Sequence, residues 1–165
     1  MARSCERVVD MATQFRFAEE KDAGKVLYFI QRFADFQKSG DSVVATEELL
    51  RTWMFQHKAA EAFFAMEGEK EIGFVLFNHG FSAHKGRPSI YLECIYVLPE
   101  YRGMGVGTEL MHELSRIARE RDYVRVEGCA PDWNPGSGRF YNSLGAEELN
   151  GWTLYRIQGE ALSQL

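Results

Sequence analysis

Cysteine is scarce: Cys5, Cys94 and Cys129 are the three in 165 residues. An odd number without paired spacing supplies no disulfide framework, and no C-x-x-C pair is present to hold zinc. His57, His79, His84 and His112 form no metal spacing either, since His112-Glu113 lacks the second histidine of H-E-x-x-H. No apolar run approaches the roughly 18 residues that a membrane span needs. Arg3, Glu6, Arg7 and Asp10 interrupt the N-terminus, which therefore has no apolar signal core. Positive charge is not in excess: the net charge of −5 argues against nucleic acid as a partner. These absences lead us to expect a cytoplasmic protein in a reducing compartment, with no nucleic acid and no membrane as partner.

What is present fits one folded domain. Apolar residues make up 45% and charged residues 26% of the chain, ordinary values for a protein with a single hydrophobic core. There is no repeat or linker. Residues 1–12 read as an N-terminal extension and 13–165 as a single domain. Gln14-Phe15-Arg16-Phe17 is the first convincing strand. Val26, Leu27, Ile30 and Phe33 then recur at helical spacing, and Thr46 caps a second helix. Ala62–Met66 and Ile72–Phe77 form a hairpin around Gly68, and Ile90–Val97 follows as a third strand. A long helix carries the stripe Leu110, Met111, Leu114, Ile117 and Ala118. Tyr123–Cys129 reads as a strand, Pro135–Leu144 as a short helix and Gly151–Ile157 as a last strand. The strands flanking the long helix should be parallel neighbours, because a crossover helix joins them. The fold class is therefore α/β or α+β with a mixed sheet.

Between that third strand and the long helix lies Arg102-Gly103-Met104-Gly105-Val106-Gly107. A helix N-terminus offers unpaired N–H groups and partial positive charge to phosphate. Glycines at 103, 105 and 107 keep side chains away from those amides and permit positive φ, and Arg102 adds a charged donor. A glycine-rich turn without a ligand is the plain alternative. A P-loop is excluded, because Gly107 is followed by Thr108-Glu109 instead of Lys-Ser or Lys-Thr. A dinucleotide fingerprint is excluded by the spacing and by the late position of the run.

Arg102-x-x-Gly105-x-Gly107 after Val97-Leu98-Pro99 resembles the coenzyme A signature of the GNAT superfamily of N-acetyltransferases. Tyr91-Leu92-Glu93, Trp133-Asn134, Phe140-Tyr141, Gly145-Ala146 and Gly151-Trp152 are similar to the spermidine/spermine and thialysine acetyltransferase branch, over roughly residues 15–160. The resemblance implies a splayed mixed sheet flanked by helices, acetyl-CoA as donor and a homodimer. It also implies that the backbone of Ile95, Tyr96 and Val97 pairs with the pantetheine arm. The amides of residues 102–107, with Asn134, Gly136 and Ser137, would contact the rest of the coenzyme.

Acetyl transfer to an amine needs a base, because an alkyl ammonium has a pKa of about 10.4, and an acid for the departing thiolate. The resemblance gives these roles to Glu93, acting through water, and to Tyr141. Structural alternatives stand beside both: a surface carboxylate, and a half-buried core tyrosine sharing helical spacing with Phe140 and Leu144. Asn134 before Pro135 is also a good helix cap without any ligand. The acids that hold a polyamine in this branch correspond here to Gln37, Cys94 and Asn150, near Trp152. Each lost ion pair forfeits about 1–3 kcal/mol, unless Asp35, Asp41 or Glu47 substitutes. The expected acceptor is a primary amine on a small molecule, diamine-like or lysine-like. An acetylated protein terminus or lysine, and a non-catalytic acyl-CoA-binding module, remain as alternatives. Cys94, if it lines the amine pocket, is expected to be open to alkylation.

Overall fold

The computed structural model describes residues 13–165. These fall into two compact units, divided between Cys129 and Ala130. The expected N-terminal extension, 1–12, and Cys5 with it, lies outside the described residues.

In the first unit β1 (Gln14–Phe17) leads through a short 3-10 turn to α1 (Ala23–Phe36). The four-residue α2 (Glu47–Leu50) has the expected cap, Thr46 Oγ1 accepting from the Leu49 N–H at 3.2 Å. It continues as a π-helix over Arg51–Gln56, a wider coil that the helical spacing alone does not distinguish. Then come β2 (Ala60–Glu67), β3 (Lys70–Ser82), β4 (Arg87–Val97), α3 (Val106–Glu120) and β5 (Val126–Gly128). The sheet runs in the order β1-β2-β3-β4-β5, antiparallel until the final, parallel β4–β5 pair. The mixed sheet and the parallel neighbours are as expected.

Each face of the sheet has its own packing. On one, Val26 and Phe29 of α1 meet Phe64, Phe74, Cys94 and Tyr96, with Met54 from the π-helix. The Phe29 ring stacks on Phe74 with centroids 5.3 Å apart. On the other, α3 packs on β3 and β4 through Leu110 and Leu114, both fully buried; Met111 is half-buried. Burying each such leucine contributes about 1.5–3 kcal/mol. The close approach of α3 depends on Gly73, where a Cβ would lie 3.0 Å from Leu110 Cδ1 and 3.3 Å from Val106 Cγ1.

The second unit contains α4 (Pro135–Ser143) and the short α5 (Glu160–Ser163). The strand expected at Gly151–Ile157 is not formed: these residues carry no strand and all are exposed. Their apolar alternation is that of a strand, but a strand exists only with a ladder partner, and sequence pattern does not supply one.

Candidate functional site

β4 is the element on which most of the predicted residues lie, and its register explains their placement. Leu76 of β3 faces Cys94, but the next residue, Phe77, faces Leu92. Glu93 is therefore an unpaired extra residue, a β-bulge. The bulge resets the alternation of the strand. Leu92 and Cys94 are both buried, and Cys94 and Tyr96 belong to the cluster under α1, while Glu93 stays exposed. Its carboxylate Oε1 accepts a hydrogen bond from Nδ2 of Asn78 on β3 at 2.7 Å.

The parallel pairing with β5 ends at the same point. Ile90, Tyr91 and Leu92 face Val126, Glu127 and Gly128, and beyond Leu92 no strand among the described residues pairs with that edge of β4. Ile95, Tyr96 and Val97 thus keep β3 on one side and an open ladder edge on the other. The Val97 carbonyl accepts from Arg102 Nε at 2.9 Å. The Arg102 guanidinium lies 5.0 Å from the ring centres of both Phe36 and Tyr96, so the C-terminal end of α1 and the end of β4 share it. Gln37, the C-cap of α1, follows directly, its N–H bonded to the Phe33 carbonyl at 3.0 Å.

After a 3-10 turn at Pro99–Tyr101, the glycine run turns into α3. Gly103 has φ of 75° and Gly105, the N-cap of α3, has φ of 86°. At neither would a Cβ meet any atom within 4 Å, so the space above the turn is open. Gly107 serves differently: it sits in the first turn of α3 with Val106 and Thr108. No side chain caps this 15-residue helix, whose first N–H groups are left for a ligand or water. Met104 projects into solvent. The residues present therefore suit a pyrophosphate at this helix end.

Cys94 differs from expectation. Its side chain is turned into the core beside α1, and burial, with the Glu93 charge adding to it, pushes the thiol up to about 12. A thiol so held is disfavoured as thiolate, the form that alkylation needs. Among the described residues Cys129 is the exposed cysteine, its Sγ accepting from the Tyr91 hydroxyl at 3.2 Å.

In the second unit, Asn134 caps α4: Oδ1 accepts from the Gly136 N–H at 3.1 Å and Nδ2 donates to Ser137 Oγ at 2.7 Å. Tyr141 is half-buried, its ring in edge contact with Phe140 at 5.3 Å. Asn150 and Trp152 are exposed, Trp152 at 82%. A cavity of about 260 Å³ in the first unit is lined by Phe17, Met54, Ala60, Glu61, Ala62 and Arg121 among others; none of the predicted residues lines it. Asn78 was not legible as a functional residue. It lies beyond the strand end read at Phe77, and only the register to Tyr91 reveals its approach to Glu93.

Residues 27–146 match the model of the Acetyltransferase (GNAT) family, and the chain belongs to this family. Within it the chain falls in the thialysine and spermidine/spermine acetyltransferase branch. It is 34% identical over 162 residues to a thialysine N-epsilon-acetyltransferase of Bos taurus, covering 91% of this chain and 95% of the relative. It is 32% identical over 145 residues to that of Caenorhabditis elegans, covering 86% and 89%. Among solved structures, an integron cassette protein from the mobile metagenome of V. cholerae superposes with a TM-score of 0.77 at 27% identity, covering 93% of this chain and 97% of that one. The chain is accordingly an N-acetyltransferase, acting on amines.

Proposed function

We propose that the chain transfers acetyl from acetyl-CoA to the primary amine of a small, lysine-like or diamine-like molecule. One observation carries this: the uncapped α3 N-terminus, with open space over Gly103 and Gly105, follows directly on the strand segment whose outer edge is open. That juxtaposition suits an extended, amide-bearing arm ending in a pyrophosphate. Acetyl-CoA brings the activated thioester. The chain holds it through the backbone of residues 95–97 and the amides of residues 103–107. Glu93, exposed on the bulge, takes a proton from the incoming ammonium through water; Tyr141 supplies one to the departing sulfur.

The acceptor follows from the charges. Of the three carboxylates named as substitutes for the missing acids at Gln37, Cys94 and Asn150, two are already paired, Asp35 with Arg32 at 2.5 Å and Glu47 with Arg51 at 2.6 Å, which leaves Asp41. With two of the three substitutes engaged, the charges suit an acceptor with one or two ammonium groups better than a longer polyamine. The same relatives act on thialysine by name. A homodimer and a cytoplasmic site complete the proposal.

The test is acetyl-CoA consumption with thialysine, lysine, diamines, spermidine and a lysine peptide. Turnover of thialysine or a diamine above spermidine is expected. No turnover with any amine, despite acetyl-CoA binding, would favour a binding module instead. Tyr141→Phe should keep its acetyl-CoA affinity while kcat falls about 100-fold or more; unchanged kcat removes Tyr141 from the mechanism.

A further inference from the structure

We propose that Asn78 is the positioning residue for Glu93, an inference that rests on the reading of Glu93 as base. The bulge gives Glu93 exposure at the cost of a ladder partner, so nothing in the β4 backbone fixes where its carboxylate points. Asn78 supplies that constraint. It is on the adjacent strand, opposite Tyr91, and reaches diagonally across to Glu93 Oε1 at 2.7 Å. An ionised carboxylate only accepts, so the Asn78 amide must present Nδ2, and its orientation is set by the bond itself. With Oε1 held, Oε2 is left for the amine or for the water that carries its proton. A side chain with several freely rotating bonds becomes a base with one free oxygen in a defined direction. Asn78 acts through Glu93 and touches no reacting atom, so its loss should appear in the chemical step and spare donor binding.

Two measurements test this. The first reads the bond: the Asn78 side-chain amide proton facing Glu93 should resonate downfield in the wild-type protein by heteronuclear NMR and move upfield in Glu93→Ala, which removes the acceptor. An unmoved resonance means that no such bond exists and overturns the proposal. The second reads its consequence with thialysine as acceptor. Asn78→Leu, of similar size and without a donor, should lower kcat about tenfold or more while KM for acetyl-CoA stays unchanged. Asn78→Asp, nearly isosteric, should lower kcat further, because it sets a second carboxylate against Glu93. Asn78→Gln should recover part of the loss. Full kcat in both Asn78→Leu and Asn78→Asp overturns the positioning role, as does an equal loss of acetyl-CoA binding, which would mark general damage to β3. The underlying reading fails differently: if Glu93→Gln itself keeps full kcat, Glu93 is not the base, whatever the NMR records.

Discussion

At the scale of single residues, charge and burial make the sharpest predictions. Asp22 is buried and accepts from both Arg16 Nη atoms, at 2.6 and 3.2 Å, and from the Glu19 N–H at 2.9 Å. Burial works to raise its pKa; the hydrogen bonds from Arg16 and Glu19 and the charges of Arg16 and Lys25 outweigh it and hold the carboxyl below its ordinary value. A folded-state pKa below the unfolded one means that this stabilisation is fully present above about pH 4 and is lost as pH falls through the folded value. Asp22→Asn should therefore lose about 2 kcal/mol at pH 7 in urea titrations and show less further loss in acid than the wild type. Equal acid sensitivity in the two proteins would remove Asp22 from the acid response. Cys94 yields an opposite kind of prediction. Iodoacetamide should label Cys129 in the native protein and reach Cys94 only after unfolding, as read by peptide mass mapping. The sequence identified Cys94 as an unusual residue on the right strand but gave its side chain the wrong surroundings. Period-two alternation sets Cys94 opposite to Glu93, and only the bulge decides that 94 and 96 turn beneath α1.

At the scale of elements, the glycine run was legible because its constraint is local. Positive φ at Gly103 and Gly105 is a property of the turn itself. Gly105→Ala should destabilise the protein by about 1–2 kcal/mol, since φ of 86° burdens any Cβ, and should weaken acetyl-CoA binding by calorimetry. A stable variant with normal affinity would separate the turn from the ligand. Gly73 carries a constraint that was not legible, because its cause is another element. Gly73→Val would drive side-chain atoms into Leu110 and Val106, which are buried and cannot yield, for a loss of about 2–3 kcal/mol in chemical denaturation. β5 shows the same limit. Tyr123 and Val124 read as strand from propensity, yet the ladder covers only Val126–Gly128, and the Tyr123 hydroxyl is engaged by His79 Nδ1 at 3.0 Å.

At the scale of the molecule, the two units differ in how their backbones are held. The first has an antiparallel four-strand core with fully buried aromatics, Phe29, Phe63, Phe64, Phe74 and Phe77. The second contains no fully buried residue. Hydrogen exchange should accordingly be slowest in β2, β3 and β4 and fast at Trp152–Ile157, where no ladder protects the amides. Slow exchange at Trp152–Ile157 would mean that a partner strand covers them in solution. The order of elements, the mixed sheet and the parallel pair were readable from sequence, because periodicity and crossover rules are general. That Gly151–Ile157 forms no strand was not, since pairing is a relation between segments and leaves no mark on either one.

The open edge of β4 has a consequence for solubility. A row of unpaired backbone groups is a template on which a foreign strand can grow, and proteins blunt such edges with charge or by spending their acceptors elsewhere. Arg102 does both, placing a cation at the end of the edge and engaging the Val97 carbonyl. An edge that we propose receives an extended ligand is thereby closed to its own kind. Arg102→Ala should leave the fold intact and self-associate as concentration rises, a change that light scattering would record and that saturating acetyl-CoA would suppress.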